Sequence, residues 1–135
     1  MCYITVGTGI GIGLVINGKC VHGMMHPEGG HARVPLMENE TFEGVCPFHG
    51  NCLEGLCTNV AIAKRLGLGS VEEVPSLSDD HEIWNILAYY LGTYCANLYL
   101  MVSVERIIIG GGVMNRTILF DKIRDQFRKS INEYV

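Results

Sequence analysis

Basic residues are scarce in this sequence: 10 Lys and Arg stand against 14 Asp and Glu, a formal net charge of −4. A chain with that balance lacks the positive face that nucleic-acid backbones demand, so no nucleic-acid partner is expected. Charge of either sign is low, at 18% of residues, while apolar residues reach 48%. That excludes a disordered segment and supplies material for a buried core. The opening Met1-Cys2-Tyr3-Ile4 lacks the basic start of a secretory signal and runs straight into a strand pattern. A cytoplasmic location is the expectation, and there the six cysteines are thiols or metal ligands rather than disulfides. Neither an internal repeat nor a linker divides the 135 residues, so one domain over residues 1–135 is expected.

One long run has no charge at all. Residues 83–104 could cross a bilayer by length. They also carry Asn85, Gly92, Thr93, Asn97, Ser103 and four tyrosines, so the run reads as a helix buried between protein layers, with no membrane partner.

What is present begins with β signals. Ile4-Thr5-Val6 is a short β-branched strand, broken at Gly7-Thr8-Gly9. Gly13-Leu14-Val15-Ile16 resumes the extended pattern, and Asn17-Gly18 predicts a tight hairpin because both residues tolerate positive φ. With a return strand over residues 19–24, this is a three-stranded antiparallel meander. Residues 25–52 hold Pro27, Pro35 and Pro47 with little periodicity, a loop so long that a functional role or a cross-link is expected in it. Residues 53–66 then predict a helix with Leu53, Leu56, Val60 and Ala63 on one stripe, ended by Gly67. Ser70-Val-Glu-Glu73 resembles a capping box cut off by Pro75. Ser78 or Asp79 can cap the charge-free helix, whose positive end suits Asp79, Asp80 and Glu82. Arg106-Ile-Ile-Ile109 is a buried-strand signature. After Gly110-Gly111-Gly112, Asn115 can cap a last helix with Phe120, Ile123, Phe127 and Ile131 inward and Asp121, Arg124, Asp125 and Lys129 in water. The order is βββ, loop, α, α, β, α, an α/β fold.

Four constellations carry chemistry. Cys46-Pro-Phe-His49-Gly-Asn-Cys52 sets three metal-type ligands at equal steps, and a tight turn relieved at Gly50 can aim all three at one ion. Zn²⁺ takes four such ligands, and a complete protein shell makes the metal structural. His31 is the candidate fourth ligand, with His22 and His26 as rivals. The same residues also suit free thiols beside a surface histidine, or a Cys46–Cys52 disulfide. Second, the alternating glycines from Gly7 to Gly13 let backbone N–H groups approach an anion. No Gly-Lys-Ser/Thr follows, so this is not a P-loop, and Leu14 stands where a dinucleotide fingerprint needs glycine. A plain glycine-rich hairpin fits equally. Third, Gly110-Gly111-Gly112 between strand and helix suits an anion or nucleotide, or close packing of helix on strand. Fourth, Glu28 and Glu54 flank the metal loop and would converge if His31 and Cys52 share an ion; otherwise each is a solvated surface acid.

Together these residues resemble the ROK family of sugar kinases and repressors. The run Val6-Gly-Thr-Gly9-Ile-Gly11-Ile-Gly13-Leu14, followed by Gly23, Pro27, Gly30 and His31, follows the family signature. Glu28-Gly-Gly-His31 is similar to the family's sugar-binding segment, and Cys52-Leu-Glu54 to the end of its zinc motif. His49 in the middle position resembles the fructokinase-like branch. The resemblance implies an actin-like, ribonuclease-H-like lobe with zinc on His31, Cys46, His49 and Cys52. It implies sugar at Glu28, His31 and Glu54, and Mg-ATP with Thr8 and Gly9 at its phosphates and Gly110, Gly111 and Gly112 near the nucleotide. The family's Asp-Gly-Gly-Thr phosphate loop and its catalytic aspartate have no counterpart here. The chain therefore resembles a C-terminal lobe without the N-terminal lobe or the closing strand and helix, with little kinase activity alone. A fructose-like hexose, ATP, and either another copy of the chain or the missing lobe are the expected partners. A non-catalytic sugar- or zinc-binding module and a repressor fragment are the alternatives.

Overall fold

A computed structural model describes residues 1–134. Alternation builds the first strand: in β1 (Cys2–Val6) Cys2, Ile4 and Val6 are buried while Tyr3 and Thr5 face out. β2 (Ile10–Ile16) pairs with it antiparallel, Ile10 opposite Val6 and Leu14 opposite Cys2. Asn17 and Gly18 turn the chain with φ of 52° and 73°, the positive values a tight hairpin needs, into β3 (Lys19–Cys20). After three helices, α1 (Leu53–Cys57), α2 (Asn59–Leu66) and α3 (Ile83–Val102), the chain returns as β4 (Ile107–Gly110). β4 lies parallel to β1 on its other edge, giving the order β3-β2-β1-β4. α4 (Ile118–Ile131) follows and packs along α3.

Two consequences of this topology matter for the site. The first is the core. α3 buries eleven of its twenty residues, Trp84, Leu87, Tyr90 and Leu91 among them, against Ile4, Leu53, Leu56 and Leu119. Among the described residues no helix is long and apolar enough to cross a membrane. The second is the parallel pairing of β1 and β4. It brings their carboxyl ends together, and each runs directly into a glycine segment. In open α/β sheets, ligands bind at such ends.

The structure corrects several expectations. The helix over residues 53–66 is two helices. Thr58 is extended (ψ 165°), and its hydroxyl accepts from the N–H of Ala61 to cap α2. The break rotates Val60 out of the inward stripe, leaving it 37% exposed, and turns Ala61 and Ile62 inward instead. The return strand ends at Cys20, not at residue 24: Lys19 and Cys20 pair with Ile16 and Val15 of β2, and the N–H of Val21 adds one last bond to the Leu14 carbonyl (2.9 Å). Ser78 and Asp79 do not cap the charge-free helix. α3 starts at Ile83 without a side-chain cap, Ser78 instead bonds the N–H of Asp80, and Asp79 pairs with Arg116. Asn115 does not cap the last helix either; it closes a 3₁₀ turn, Gly112–Asn115, that separates the glycines from α4. The strand signature extends one residue beyond expectation, to Gly110, and omits Arg106. The capping box holds, with Ser70 and Glu73 bonding each other's backbone at the 3₁₀ turn Val71–Ser76.

Candidate functional site

The long segment before α1 is shaped by a few backbone hydrogen bonds. Cys46 and Gly50 exchange two of them, at 3.2 and 2.9 Å, closing a knuckle in which Gly50 has φ +61°. The N–H of Val45 bonds the Gly55 carbonyl of α1 (3.0 Å), seating the knuckle on that helix. On the other side the 3₁₀ turn Gly29–His31 lies against the start of β2. Gly30 permits this approach, because a Cβ there would collide with the Ile10 carbonyl. The N–H of Leu53 bonds the Ala32 carbonyl (2.9 Å), tying the turn to the start of α1.

These ties bring His31, Cys46, His49 and Cys52 together, with one donor atom from each within 4.8 Å of all the others. His31 Nδ1 lies 3.6 Å from Cys46 Sγ and 3.7 Å from Cys52 Sγ, and His49 Nδ1 lies 3.7 Å from Cys46 Sγ. A sulfur and a nitrogen bound to one tetrahedral zinc stand about 3.6 Å apart, so the donor set fits that ion in chemistry and in spacing. Both sulfurs are thiols, not a disulfide. Burial opposes ionisation of Cys46. The N–H groups of His49 and Phe48, with the side chains of Cys52 and His49, nevertheless pull its thiol down to about 6. Burial, reinforced by neighbouring Cys46, pushes Cys52 up. One thiolate is thus ready for a cation at neutral pH. Neither His22 nor His26 enters the donor set; His26 Nε2 donates to Glu28 Oε1 at 2.7 Å.

The two acids differ. Glu54, in the first turn of α1, has Oε1 4.0 Å from His31 Nε2, and its Oε2 accepts the N–H of Ile10 at 2.9 Å. His31 therefore presents Nδ1 to the thiols and Nε2 to a carboxylate. Glu28, which precedes the 3₁₀ turn, is exposed and held by His26.

The glycine segments meet as the parallel strands require. Thr8 and Gly9 lie exposed in the turn between β1 and β2, where the N–H of Gly7 bonds the Gly9 carbonyl (2.9 Å). The N–H of Asn59, at the start of α2, bonds the Gly7 carbonyl at 3.0 Å, so the break at Thr58 aims α2 at this turn. A Cβ on Gly7 would lie 3.9 Å from the Gly112 nitrogen. Gly110 ends β4, Gly111 has φ +97°, and Gly112 opens the 3₁₀ turn. Beside Gly112 a cavity of about 550 Å³ is lined in part by Asn59, Trp84 and Arg116. Arg116 stacks over Trp84 at 4.6 Å, donates to the Pro75 carbonyl at 2.9 Å and pairs with Asp79. Arg116 and Asn59 did not stand out in the sequence. The one available signal was a cation soon after the glycine triplet in a chain poor in charge.

Comparison with known proteins places these features in context. The ROK family profile matches residues 1–135. The fructokinase of Lactococcus lactis subsp. cremoris is 40% identical over 136 residues, covering 100% of this chain and 46% of the relative. The chain spans about half the length of the curated relatives it matches. Among solved structures, the ROK hexokinase of Thermus thermophilus superposes with a TM-score of 0.73 at 21% identity, over 97% of this chain and 49% of that one. A ROK family transcriptional regulator, a homologue of the E. coli MLC protein, superposes with a TM-score of 0.71 at 24% identity, over 96% of this chain and 37% of that one.

Proposed function

We propose a function from one premise: the chain belongs to the ROK family. Residues 1–135 are, in this reading, the C-terminal-type lobe of an ATP-dependent hexose kinase of the fructokinase kind, with a zinc loop over residues 25–52. The observation that carries it is the convergence of His31, Cys46, His49 and Cys52, with the free side of His31 turned to Glu54. Those four residues would hold a structural zinc, whose contribution is to fix the loop rather than to react. Glu54, Glu28 and His31 would hold hydroxyls of a fructose-like sugar, carboxylates as acceptors and the imidazole as a hydrogen-bonding partner.

The phosphate end follows from the parallel strands. Backbone N–H groups at Thr8 and Gly9 would face the phosphates of Mg-ATP, and Gly110, Gly111 and Gly112 would border the nucleotide, with the cavity at Arg116 and Trp84 receiving its base. In phosphoryl transfer a sugar hydroxyl oxygen forms its bond to the γ-phosphorus as the bond to ADP breaks, and the protein positions both and neutralises charge. A general base contributes about 10²–10⁴-fold. Neither Glu54 nor Glu28 is assigned that role, because both hold hydroxyls remote from the transfer. The base and the opposing wall of the cleft are assigned to a partner lobe or a second copy of the chain. Residues 1–135 alone then bind sugar but turn it over negligibly, in a soluble cytoplasmic setting.

A repressor lobe would share this fold, as the regulator's superposition allows. The kinase reading is preferred because the full-coverage relatives at 33–41% identity carry fructokinase names, and because the net charge of −4 does not suit a DNA-binding surface. The test is elemental analysis with calorimetry on the native chain. One zinc per chain and fructose binding that disappears on chelation are expected, with ADP release at background. A metal-free chain, or fructose binding indifferent to chelation, overturns the reading.

A further inference from the structure

We propose that Gly9, given above to the nucleotide phosphates, is also the positioning residue for the Glu54 carboxylate, and so links the phosphate turn to the sugar end of the site. This rests on the reading above for the word sugar, but not for the geometry. Glu54 Oε2 accepts the N–H of Ile10 at 2.9 Å, an amide of the strand that begins immediately after Gly9. A Cβ on Gly9 would lie 2.9 Å from that same oxygen and 3.7 Å from Cδ. The carboxylate therefore fits only because residue 9 has no side chain. The Ile10 carbonyl, meanwhile, is backed by Gly30 of the turn that carries His31. Ile10 is thus gripped from both sides by the segments that hold His31 and Glu54, and the other carboxylate oxygen faces His31 Nε2 at 4.0 Å.

A functional consequence follows. One oxygen of Glu54 is committed to a backbone amide, which leaves the carboxylate a single orientation and a limited set of lone pairs for a hydroxyl. Any movement of the Gly7–Gly9 turn as phosphates bind displaces the Ile10 amide and with it Glu54. Linkage makes the effect reciprocal: occupancy at either end changes affinity at the other by the same factor.

Gly9→Ala isolates the effect. Its φ lies outside the left-handed region that strains a side chain, and the new methyl meets the mobile end of a glutamate rather than backbone, so the chain folds and the carboxylate moves. In the zinc-loaded chain without sugar or nucleotide, the Ile10 amide is expected to exchange with solvent about tenfold faster or more in Gly9→Ala than in the parent. Fructose alone, without ATP, is expected to bind about tenfold more weakly. Gly9→Ala with Glu54→Asp, one methylene shorter, is expected to recover part of both. In a Glu54→Ala background the Ile10 amide is already released, and adding Gly9→Ala changes it no further. An Ile10 amide that exchanges at the parent rate in Gly9→Ala overturns the proposal, as does an Ile10 amide that Gly9→Ala accelerates equally in the Glu54→Ala chain. The two readings fail separately: absence of fructose binding by the parent removes the sugar assignment, whereas the Ile10 amide decides the positioning claim with no sugar present.

Discussion

Residues 25–52 and α3 reach order by opposite means. Of the 28 residues in the loop, only Gly30, Val34, Cys46 and Cys52 are buried, whereas α3 buries eleven of twenty. The helix is held by area removed from water, which is non-directional and spread over many contacts. The loop has too little apolar surface for that and is held by a few directional pins. One is the four-residue donor set. Another is Glu40, which accepts from Arg65 at 2.8 and 2.9 Å and from the Tyr90 hydroxyl, while the Arg65 guanidinium sits 4.4 Å from the Phe42 ring centre. The difference implies that damage to the loop stays local and damage to the helix spreads.

Cys52→Ser probes this most severely. Apparent binding of a structural zinc is worth about 10–16 kcal/mol in small zinc domains, so removal of a ligand is expected to abolish stoichiometric zinc. Amide exchange over residues 25–52 should rise by orders of magnitude while β1, β4 and α3 keep their protection. Equal loss of protection in the sheet would show that the two regions form one cooperative unit.

Leu91→Ala strikes the other region. Leu91 is fully buried in the core, and the substitution is expected to cost about 3–5 kcal/mol, read as a fall in the denaturation midpoint at unchanged zinc content. Zinc loss before unfolding would break the proposed separation.

Glu40→Gln is expected to be milder and to depend on pH. The Arg65 guanidinium, aided by the Tyr90 hydroxyl and opposed by burial, holds the Glu40 carboxyl at about 2, below its ordinary 4.5. A carboxyl lowered by folding stabilises the fold above the ordinary value, and that contribution fades as pH falls from about 4.5 toward 2. The parent should lose on the order of 3 kcal/mol across that window, and the Gln variant should lack this slope. Parallel stability curves for the two chains would remove Glu40 as a pin of the loop.

Much of the architecture could be read in advance because its signals are local. Asn17-Gly18 adopts the positive φ of a tight hairpin, Ser70 and Glu73 satisfy each other within one turn, and the β-branched Ile4-Thr5-Val6 marks a strand that the structure extends back to Cys2. The break at Thr58 was not legible. Apolar residues continue on both sides of it, and the competing interaction, the Asn59 amide on the Gly7 carbonyl, comes from 52 positions away. The glycines at 11 and 13 concealed a strand that begins at Ile10, since pairing with β1 outweighs their weak intrinsic preference. In the site, the knuckle from Cys46 to Cys52 declared itself by spacing. His31, preferred over His22 and His26 as the fourth ligand, completes the set; what the sequence could not show is how it gets there, through the packing of Gly30 on Ile10 that seats its turn.

The sequence by itself determined the order of elements apart from the break at Thr58, the chemical types of the ligands and the presence of two glycine segments, because residue type and short-range spacing carry that information. Only the tertiary structure decided that the glycine segments are neighbours, that the turn carrying His31 is seated on Ile10, and that one oxygen of Glu54 is spent on the Ile10 amide. Each of these is a contact between distant parts of the chain, set by the parallel pairing of β1 with β4 and by steric room that no local pattern records.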